Sequence, residues 1–288
     1  MIAWLRRNGL MVYAGLAVAY MLIPIVVIAV FSFGETPKDK LNFTLGGGFT
    51  LEYWQHAFKI EELNDSFRTS IKLATFSTLI STAVGTLMAI ALVRYQFRGR
   101  RLSNLLIVLP MATPEIVLGA ALLSMFVNLS VFDLGFQTLL IAHVMFSISF
   151  VVVVVRSRLI GFDRRIEEAA ADLGATPVQT FRYVTMPLVA PGILAAALLA
   201  FALSIDDFVI SNFNSGGTVT FPLYVYGVAL RGIPVQVNVL ATMLFLLTVA
   251  AIGLVLWQQR RAERLAAVAA EEKVVPGPVP AAPTPLGG

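Results

Sequence analysis

Five side chains within or beside long apolar stretches have the types and spacing to handle a charged solute. They are the carboxylates Glu115, Asp206 and Asp207 and the phenols Tyr224 and Tyr226. Ionisable groups at bilayer depth are costly and usually face a pathway or a partner. A carboxylate there compensates the charge of a cation that leaves water, and a tyrosine face adds a cation–π contact. The sequence therefore marks these five residues as candidates for lining a path across a membrane.

Each candidate also has a structural interpretation. Adjacent residues on a helix point about 100° apart, so at most one of Asp206 and Asp207 faces a central path squarely. Either aspartate instead caps or pairs at the end of its helix, with Arg231 as one partner. For Glu115 the alternative is a hydrogen-bonding role at a subunit interface, and for the two tyrosines it is the aromatic belt at the membrane surface.

Residues for other chemistries are missing from the sequence. It has no cysteine, which excludes disulfides, thiolate catalysis and thiolate metal sites. Its two histidines are separate: His143 is interpreted as a hydrogen-bonded packing residue and His56 as a surface residue. Without a His-Glu-x-x-His motif, an intramembrane hydrolase is disfavoured. Without a phosphate-binding loop, this chain is not expected to bind or hydrolyse ATP itself, and it is predicted to be non-catalytic and to hold no cofactor or metal.

Composition places these residues in a membrane. Of the 288 residues, 58% are hydrophobic and 13% are charged, with a mean hydropathy of +0.82, whereas a soluble domain carries about 25% charged residues. The apolar residues fall in runs of about 20, the length of a helix that spans a bilayer. We predict an all-α membrane protein with six transmembrane helices, at residues 10–33, 67–93, 102–127, 137–155, 188–210 and 235–257.

Basic residues indicate the orientation. With the N-terminus in the cytoplasm, fifteen of the 21 Lys and Arg residues fall on inner segments and six on outer ones. The outer six are Lys38, Lys40, Lys59, Arg68, Lys72 and Arg231. The positive-inside rule then predicts that both termini are cytoplasmic. Residues 1–264 are predicted to form the membrane domain, and the Ala-, Pro- and Gly-rich residues 265–288 a disordered cytoplasmic tail. No basic run interleaves with aromatic residues, so a nucleic-acid partner is not expected.

The inner loop at residues 156–187 is polar and long enough to fold into helices. Asp163 is a predicted N-cap, and Ile166, Ala170 and Leu173 form one narrow apolar stripe. Gly174 suits a C-terminal cap. A second helix then begins with Thr176 as N-cap, Pro177 at the first position and Gln179 completing a capping box.

Pro187 and Pro191 are predicted to interrupt the chain before the fifth span. From these features alone, a docking surface for another protein and an amphipathic linker resting on lipid headgroups remain equally supported.

A motif in this loop decides between them. Glu168-Ala169-Ala170, then Gly174, then nine residues before Val184-Thr-Met186-Pro187, resembles the EAA loop of ABC importer permeases, with Val and Met where that family has Ile and Leu. The resemblance implies the type I ABC importer permease fold with a cytoplasmic coupling helix that docks on an ATP-hydrolysing subunit. It implies that Glu168 is the polar anchor, that Ala169 and Ala170 form the close-packing face, and that Gly174 forms the turn.

A second resemblance narrows the solute. The segments 109–117, 201–211, 221–226 and 237–242 are similar to those of spermidine/putrescine permease subunits, and the Asp206-Asp207 pair points to polyamines. The resemblance implies four kinds of partner: an ABC ATPase subunit in two copies, a second permease of similar fold, an extracytoplasmic solute-binding protein and membrane lipid. The bacterial cytoplasmic membrane is the expected location. A permease for another small solute and an ion-coupled secondary transporter remain the alternatives.

Overall fold

Helices make up almost all of the described secondary structure. In this computed structural model we describe residues 2–34, 48–129, 133–161, 163–229 and 232–274, in which the only extended pairing is a bridge between Gly34 and Phe49. The helices are α1 (Ile2–Phe31), α2 (Glu52–Gln55), α3 (Glu61–Arg94), α4 (Arg100–Ala112), α5 (Glu115–Leu129), α6 (Phe136–Ile160), α7 (Arg165–Asp172), α8 (Pro177–Thr180), α9 (Met186–Asp206), α10 (Val209–Asn214), α11 (Phe221–Ala229) and α12 (Val235–Val274). A π-helical segment, Phe181–Thr185, joins α8 to α9.

Five stretches of the described chain are long and apolar enough to cross a membrane as single helices. They are Gly9–Phe31, Glu61–Arg94, Phe136–Ile160, Pro177–Asp206 and Val235–Gln258, and they contain most of five of the six predicted spans. The all-helical class is confirmed.

The predicted third span, residues 102–127, is not one helix. It consists of α4 and α5, which meet at an angle of 113°. Thr113 and Pro114 lie at the break, and Thr113 has extended backbone dihedrals of −82° and 131°. A residue before proline is pushed out of the helical region, which explains the break. The kink that Pro114 predicts is therefore present, but it is sharp enough to divide the segment in two.

The predicted fifth span, residues 188–210, also differs at both ends. Helix α9 ends at Asp206, and Asp207 takes extended dihedrals of −64° and 119° before α10 begins. At the other end the prolines do not interrupt the chain, because α8, the π segment and α9 run on without a gap. The amide of Met186 bonds to the carbonyl of Phe181, five residues back. This change of hydrogen-bond register precedes Pro187, which has no N–H to give to the helix.

The packed centre of residues 1–239 is formed by α3, α6 and α9, which contact one another pairwise. Their buried apolar residues include Leu92 of α3, Val151, Val152 and Val155 of α6, and Val189 and Ala196 of α9. Small residues let the backbones approach closely. A Cβ placed on Gly85 of α3 would lie 2.7 Å from Cγ1 of Val151 and 3.4 Å from the carbonyl oxygen of Ile148.

Helix α1 has no buried residue between Gly9 and Phe31. Its side chains there are almost all apolar, including Leu10, Met11, Leu16 and Met21, each more than half exposed. A continuous apolar surface of this kind is covered by lipid or by another protein in the assembled state. The helix is therefore suited to the membrane but adds nothing to the core of this chain.

Residues 240–274 form a separate unit that continues α12. The helix reaches Val274, so residues 265–274, which the sequence predicts as part of a disordered tail, are helical in this structure. Alanine, leucine, glutamate and lysine make up most of that stretch and all favour a helix. The remaining tail residues, 275–288, lie outside the described part of the chain.

Candidate functional site

The inner loop forms two short helices whose ends are capped as its residue types predict. The carboxylate of Asp163 accepts a hydrogen bond from the amide of Arg165 at 3.0 Å and so caps the first turn of α7. The hydroxyl of Thr176 accepts from the amide of Gln179, whose side chain accepts in turn from the Thr176 amide at 2.8 Å. Both local predictions are confirmed.

Gly174 ends α7 in the left-handed region, with φ of +83°. The amide of Ala175 donates to the carbonyl of Ala170 at 3.0 Å, and the amide of Gly174 donates to the carbonyl of Ala171 at 2.9 Å. This pair of bonds is a Schellman cap, which favours glycine at the left-handed position. The chain thus reverses sharply into α8, and no other atom lies within 4 Å of the place where a Gly174 Cβ would be.

Helix α7 presents most of its surface to the outside of the chain, and none of its residues is buried. Glu168 and Ala169 are exposed, Ala170 is half-buried, and Pro187 is exposed on the first turn of α9. Leu173 is 90% exposed and Val178, at the start of α8, is 74% exposed. The predicted stripe of Ile166, Ala170 and Leu173 is therefore not used to pack α7 onto its own chain. These two helices therefore expose a polar group and large apolar side chains at the surface of the chain.

Sequence reasoning missed the contact that holds α7 in place. Oε1 of Glu167 accepts hydrogen bonds from Nη2 of Arg94, the last residue of α3, and from Oγ1 of Thr185. A neighbouring bond, from Nη2 of Arg164 to the carbonyl of Val93 at 3.3 Å, joins the residue before α7 to α3. Arg94 and Glu167 are 73 positions apart, so no local pattern links them.

Asp207 follows the last residue of α9, at the end opposite to the one that carries Pro187. Asp207 is buried, with a side-chain exposure of 5%, and its carboxylate caps α10. It accepts from the amide of Ile210 at 3.2 Å and from that of Ser211 at 2.8 Å. Oδ2 of Asp207 is also 3.4 Å from Nε2 of His143. The structure thus gives this aspartate the capping role, with His143 as its partner; Arg231 lies outside the described residues.

His143 is the centre of a buried polar network. Its Nδ1 is 2.8 Å from Oγ of Ser204 and its Nε2 is 3.0 Å from Oγ of Ser211. The hydroxyl of Ser77 donates to Oγ of Ser204 at 2.9 Å. One imidazole therefore joins α3, α6, α9 and α10, and the interpretation of His143 as a hydrogen-bonded packing residue is confirmed.

Asp206 is exposed at the last position of α9, next to the buried Asp207. Two residues further on, the ring of Phe208 lies 4.8 Å from that of Tyr226, measured between centroids, and Tyr226 is 67% exposed. The exposed carboxylate of Asp206 is thus two residues away from an aromatic contact that includes the exposed phenol of Tyr226. Tyr224, on the same helix α11, is half-buried, and burial together with the charge of Glu62 raises the pKa of its phenol.

Glu115 is the first residue of α5, immediately after the break at Pro114, and it is exposed. Helix α5 packs against α10: a Cβ on Gly119 would lie 2.8 Å from the ring of Phe213, and the side-chain amide Nδ2 of Asn214 donates to the Gly119 carbonyl at 3.3 Å. The helix that carries Glu115 therefore rests on the helix that Asp207 caps.

Comparisons with known proteins give the family. Residues 81–264 match the family described as binding-protein-dependent transport system inner membrane component. The chain is 38% identical over 251 residues to the spermidine/putrescine transport system permease protein PotC of Escherichia coli strain K12, covering 86% of this chain and 91% of that protein. It is 35% identical over 257 residues to the putrescine transport system permease protein PotI of the same strain, covering 86% and 90%.

A solved bacterial alginate ABC transporter, in complex with an alginate pentasaccharide-bound periplasmic protein, contains a chain of similar fold. The TM-score is 0.62 at 15% identity, over 92% of this chain and 98% of that one. The family match, the identities and the likeness of fold agree. The chain therefore belongs to the inner membrane components of binding-protein-dependent transport systems, the multi-pass permeases of bacterial ABC importers.

Proposed function

We propose that this chain is the permease subunit of an ATP-driven importer of polyamines and that it forms the translocation path with a second permease of similar fold. The observation that carries the coupling to ATP is the exposed surface of α7 and α8. An eight-residue helix with no buried residue is positioned by its ends and by Glu167, and it leaves Glu168, Ala169 and Leu173 outside.

This surface fits a groove on a separate ATPase subunit. Glu168 supplies a charge for an ion pair or a charge-assisted hydrogen bond. Ala169 and Ala170 let the partner's surface approach closely, and the exposed Leu173 adds an apolar anchor. Gly174 and Pro187 frame the loop, the first by its sharp turn and the second at the start of the fifth membrane helix. ATP is bound and hydrolysed by the partner, present in two copies, and this chain supplies no catalytic group.

The same proposal places both termini in the cytoplasm, because the arginines concentrate at the end of the helices where α7 lies. Closure of the two ATPase subunits then moves the docked helices as rigid bodies, and the bundle changes between outward- and inward-facing states. At the other side a solute-binding protein delivers the solute. Membrane lipid covers the remaining apolar surface.

The solute is proposed to be a polyamine, because the similar permeases PotC and PotI are named for spermidine and putrescine transport. Asp206 and Glu115, both exposed in this chain, supply negative charge to ammonium groups that leave water. Tyr226 and Tyr224 add aromatic faces. Asp207 acts on the path indirectly. It caps α10 and so holds the junction between α9 and α10, where Asp206 lies.

Charge reversal at the docking surface tests the coupling. We expect Glu168→Arg to lower ATP-dependent uptake at least tenfold, because it places a cation where the partner accepts an anion; Gly174→Asp acts similarly by adding charge at a left-handed turn. The measurement is uptake of labelled putrescine into proteoliposomes, with copurification of the ATPase subunit.

The control is Glu52→Arg, an exposed glutamate on α2, which precedes the opposite end of α3. It is expected to leave copurification of the ATPase subunit unchanged. Normal copurification and uptake in both loop variants would contradict the docking role. Uptake that follows an ion gradient without ATP would favour a secondary transporter instead.

The polyamine assignment has its own test. We expect the solute-binding protein of the same system to bind spermidine or putrescine with micromolar or tighter affinity in calorimetric titration. Failure to bind either, with tight binding of another small solute, would keep the ABC permease and replace its cargo.

A further inference from the structure

One carboxylate links three elements at the end of the bundle where α7 lies. Glu167 of α7 accepts from Arg94, at the end of α3, and from Thr185, at the end of the π segment that leads into α9. Nη2 of Arg94 is also 3.5 Å from Oγ1 of Thr185, which closes the triangle. The Thr185 residue is 1% exposed, and the side chains of Glu167 and Arg94 are 16% and 27% exposed.

This contact is stronger than an ordinary surface ion pair. Exposed ion pairs contribute little to stability, whereas hydrogen bonds to a charged group that is largely shielded from water are stronger. Helix α7 has few other attachments, because it has eight residues and none of them is buried. A helix that short is not stable alone. Its position relative to α3 and α9 therefore depends on this link.

The two adjacent glutamates of α7 divide into different roles. Consecutive positions on a helix point about 100° apart, and here Glu167 faces α3 and the π segment while Glu168 faces outward. The link reaches the fifth membrane helix at Thr185, the last residue of the π segment. There the backbone hydrogen bonds change from the π-helical spacing of five residues to the α-helical spacing of four. A displacement applied there acts on the least regular part of that helix.

We propose that the Arg94–Glu167 pair, with Thr185, is the linkage through which movement of α7 is passed to α3 and α9 together. Glu167 is thus a positioning residue that acts through the membrane helices. The inference rests on the proposed docking of α7 on an ATPase subunit, and it adds the path by which that docking reaches the bundle.

The test is a charge exchange between the two positions. The assembled transporter, with its ATPase subunits, second permease and solute-binding protein, is reconstituted in proteoliposomes, and the ratio of putrescine taken up to ATP hydrolysed is measured. We expect Glu167→Arg and Arg94→Glu, each alone, to keep the ATPase subunit bound and hydrolysing while the ratio falls at least tenfold. The double variant R94E/E167R restores the pair and is expected to bring the ratio within about threefold of the wild type.

A milder variant protects the test against misfolding. Glu167→Gln keeps an acceptor for Thr185 but removes the charge, so its ratio is expected to fall less than that of the reversals. Wild-type ratios in the single reversals, or a double variant as impaired as the singles despite normal assembly, would overturn the linkage and leave the docking role intact. Absence of ATP-dependent uptake in the wild type, measured with a solute that its solute-binding protein binds, would overturn the proposed function and the linkage with it.

Discussion

Asp207→Ala is expected to abolish uptake and to lower the stability of the folded subunit by roughly 2–4 kcal/mol. The loss has two sources. The amides of Ile210 and Ser211 lose the carboxylate that caps α10, and the imidazole of His143 loses a buried partner at 3.4 Å. Once α10 loosens, the contacts that α5 makes with it through Gly119 weaken as well. The midpoint of thermal unfolding in detergent and ATP-dependent uptake measure the two effects.

The neighbouring residue supplies the matched control. Asp206 is exposed, so Asp206→Asn is expected to change stability by no more than about 0.5 kcal/mol. It nevertheless lowers uptake, because the proposed path loses a negative charge. An Asp207→Ala variant that unfolds at the wild-type temperature would show that the cap and the His143 contact are unimportant. Equal destabilisation by both changes would contradict the division of roles between the two aspartates.

That division shows where sequence reasoning stops. Two consecutive carboxylates at the end of an apolar run have the same composition and nearly the same depth, so a helical period separates them only by an angle. What distinguishes them is that α9 ends between them and that His143, from another helix, lies beside Asp207. Neither fact is local. The sequence offered capping as one alternative, and only the tertiary structure assigns it to Asp207.

Local physics was a better guide in the inner loop. The N-cap at Asp163, the left-handed Gly174 and the capping box of Thr176 with Gln179 are each determined by residues within a few positions, and all three are present. The contact between Arg94 and Glu167 was not foreseen because it depends on how α3 packs against α9. The break at Pro114 was underestimated for a similar reason: proline predicts a bend, whereas the 113° angle occurs together with packing of α5 on α10, a contact between distant segments.

The two candidate sites are joined by one helix. Along α3, Ser77 touches the His143 network and Arg94 holds α7. They are 17 residues apart, from 77 to 94, which is about 25 Å in a helix and comparable to the hydrocarbon core of about 30 Å. The packing of α3 against α6 and α9 therefore connects the proposed ATPase-docking loop to the proposed solute path. A change that separates these helices should affect both ends at once.

Gly85→Leu makes that change, and we expect that the variant does not fold into a stable subunit in the membrane. A Cβ at this position would already lie 2.7 Å from Cγ1 and 2.9 Å from Cβ of Val151, so the rest of a leucine side chain has no space unless α3 and α6 move apart. Overpacking of a core costs about 1–3 kcal/mol when neighbours can shift. Here the contact is with a β-branched side chain that is itself fully buried, so a cost at or above the upper end is expected. Size-exclusion chromatography of the detergent extract measures the loss of a single folded species.

Gly15→Leu is the matched variant, because Gly15 lies on α1 and no atom comes within 4 Å of where its Cβ would be. It adds the same side chain to another apolar helix and is expected to leave the chromatographic profile and stability unchanged. If Gly85→Leu gave the same profile as Gly15→Leu, α3 and α6 would not be as close as 2.7 Å implies, and the rigid connection from Arg94 to the His143 network would lose its basis. If neither variant gave a single folded species, the cause would be impaired membrane insertion of a helix with a bulkier side chain, rather than packing of α3 against α6. A loss confined to Gly85→Leu is therefore the result that ties the folded state of this permease to the close contact of α3 with α6.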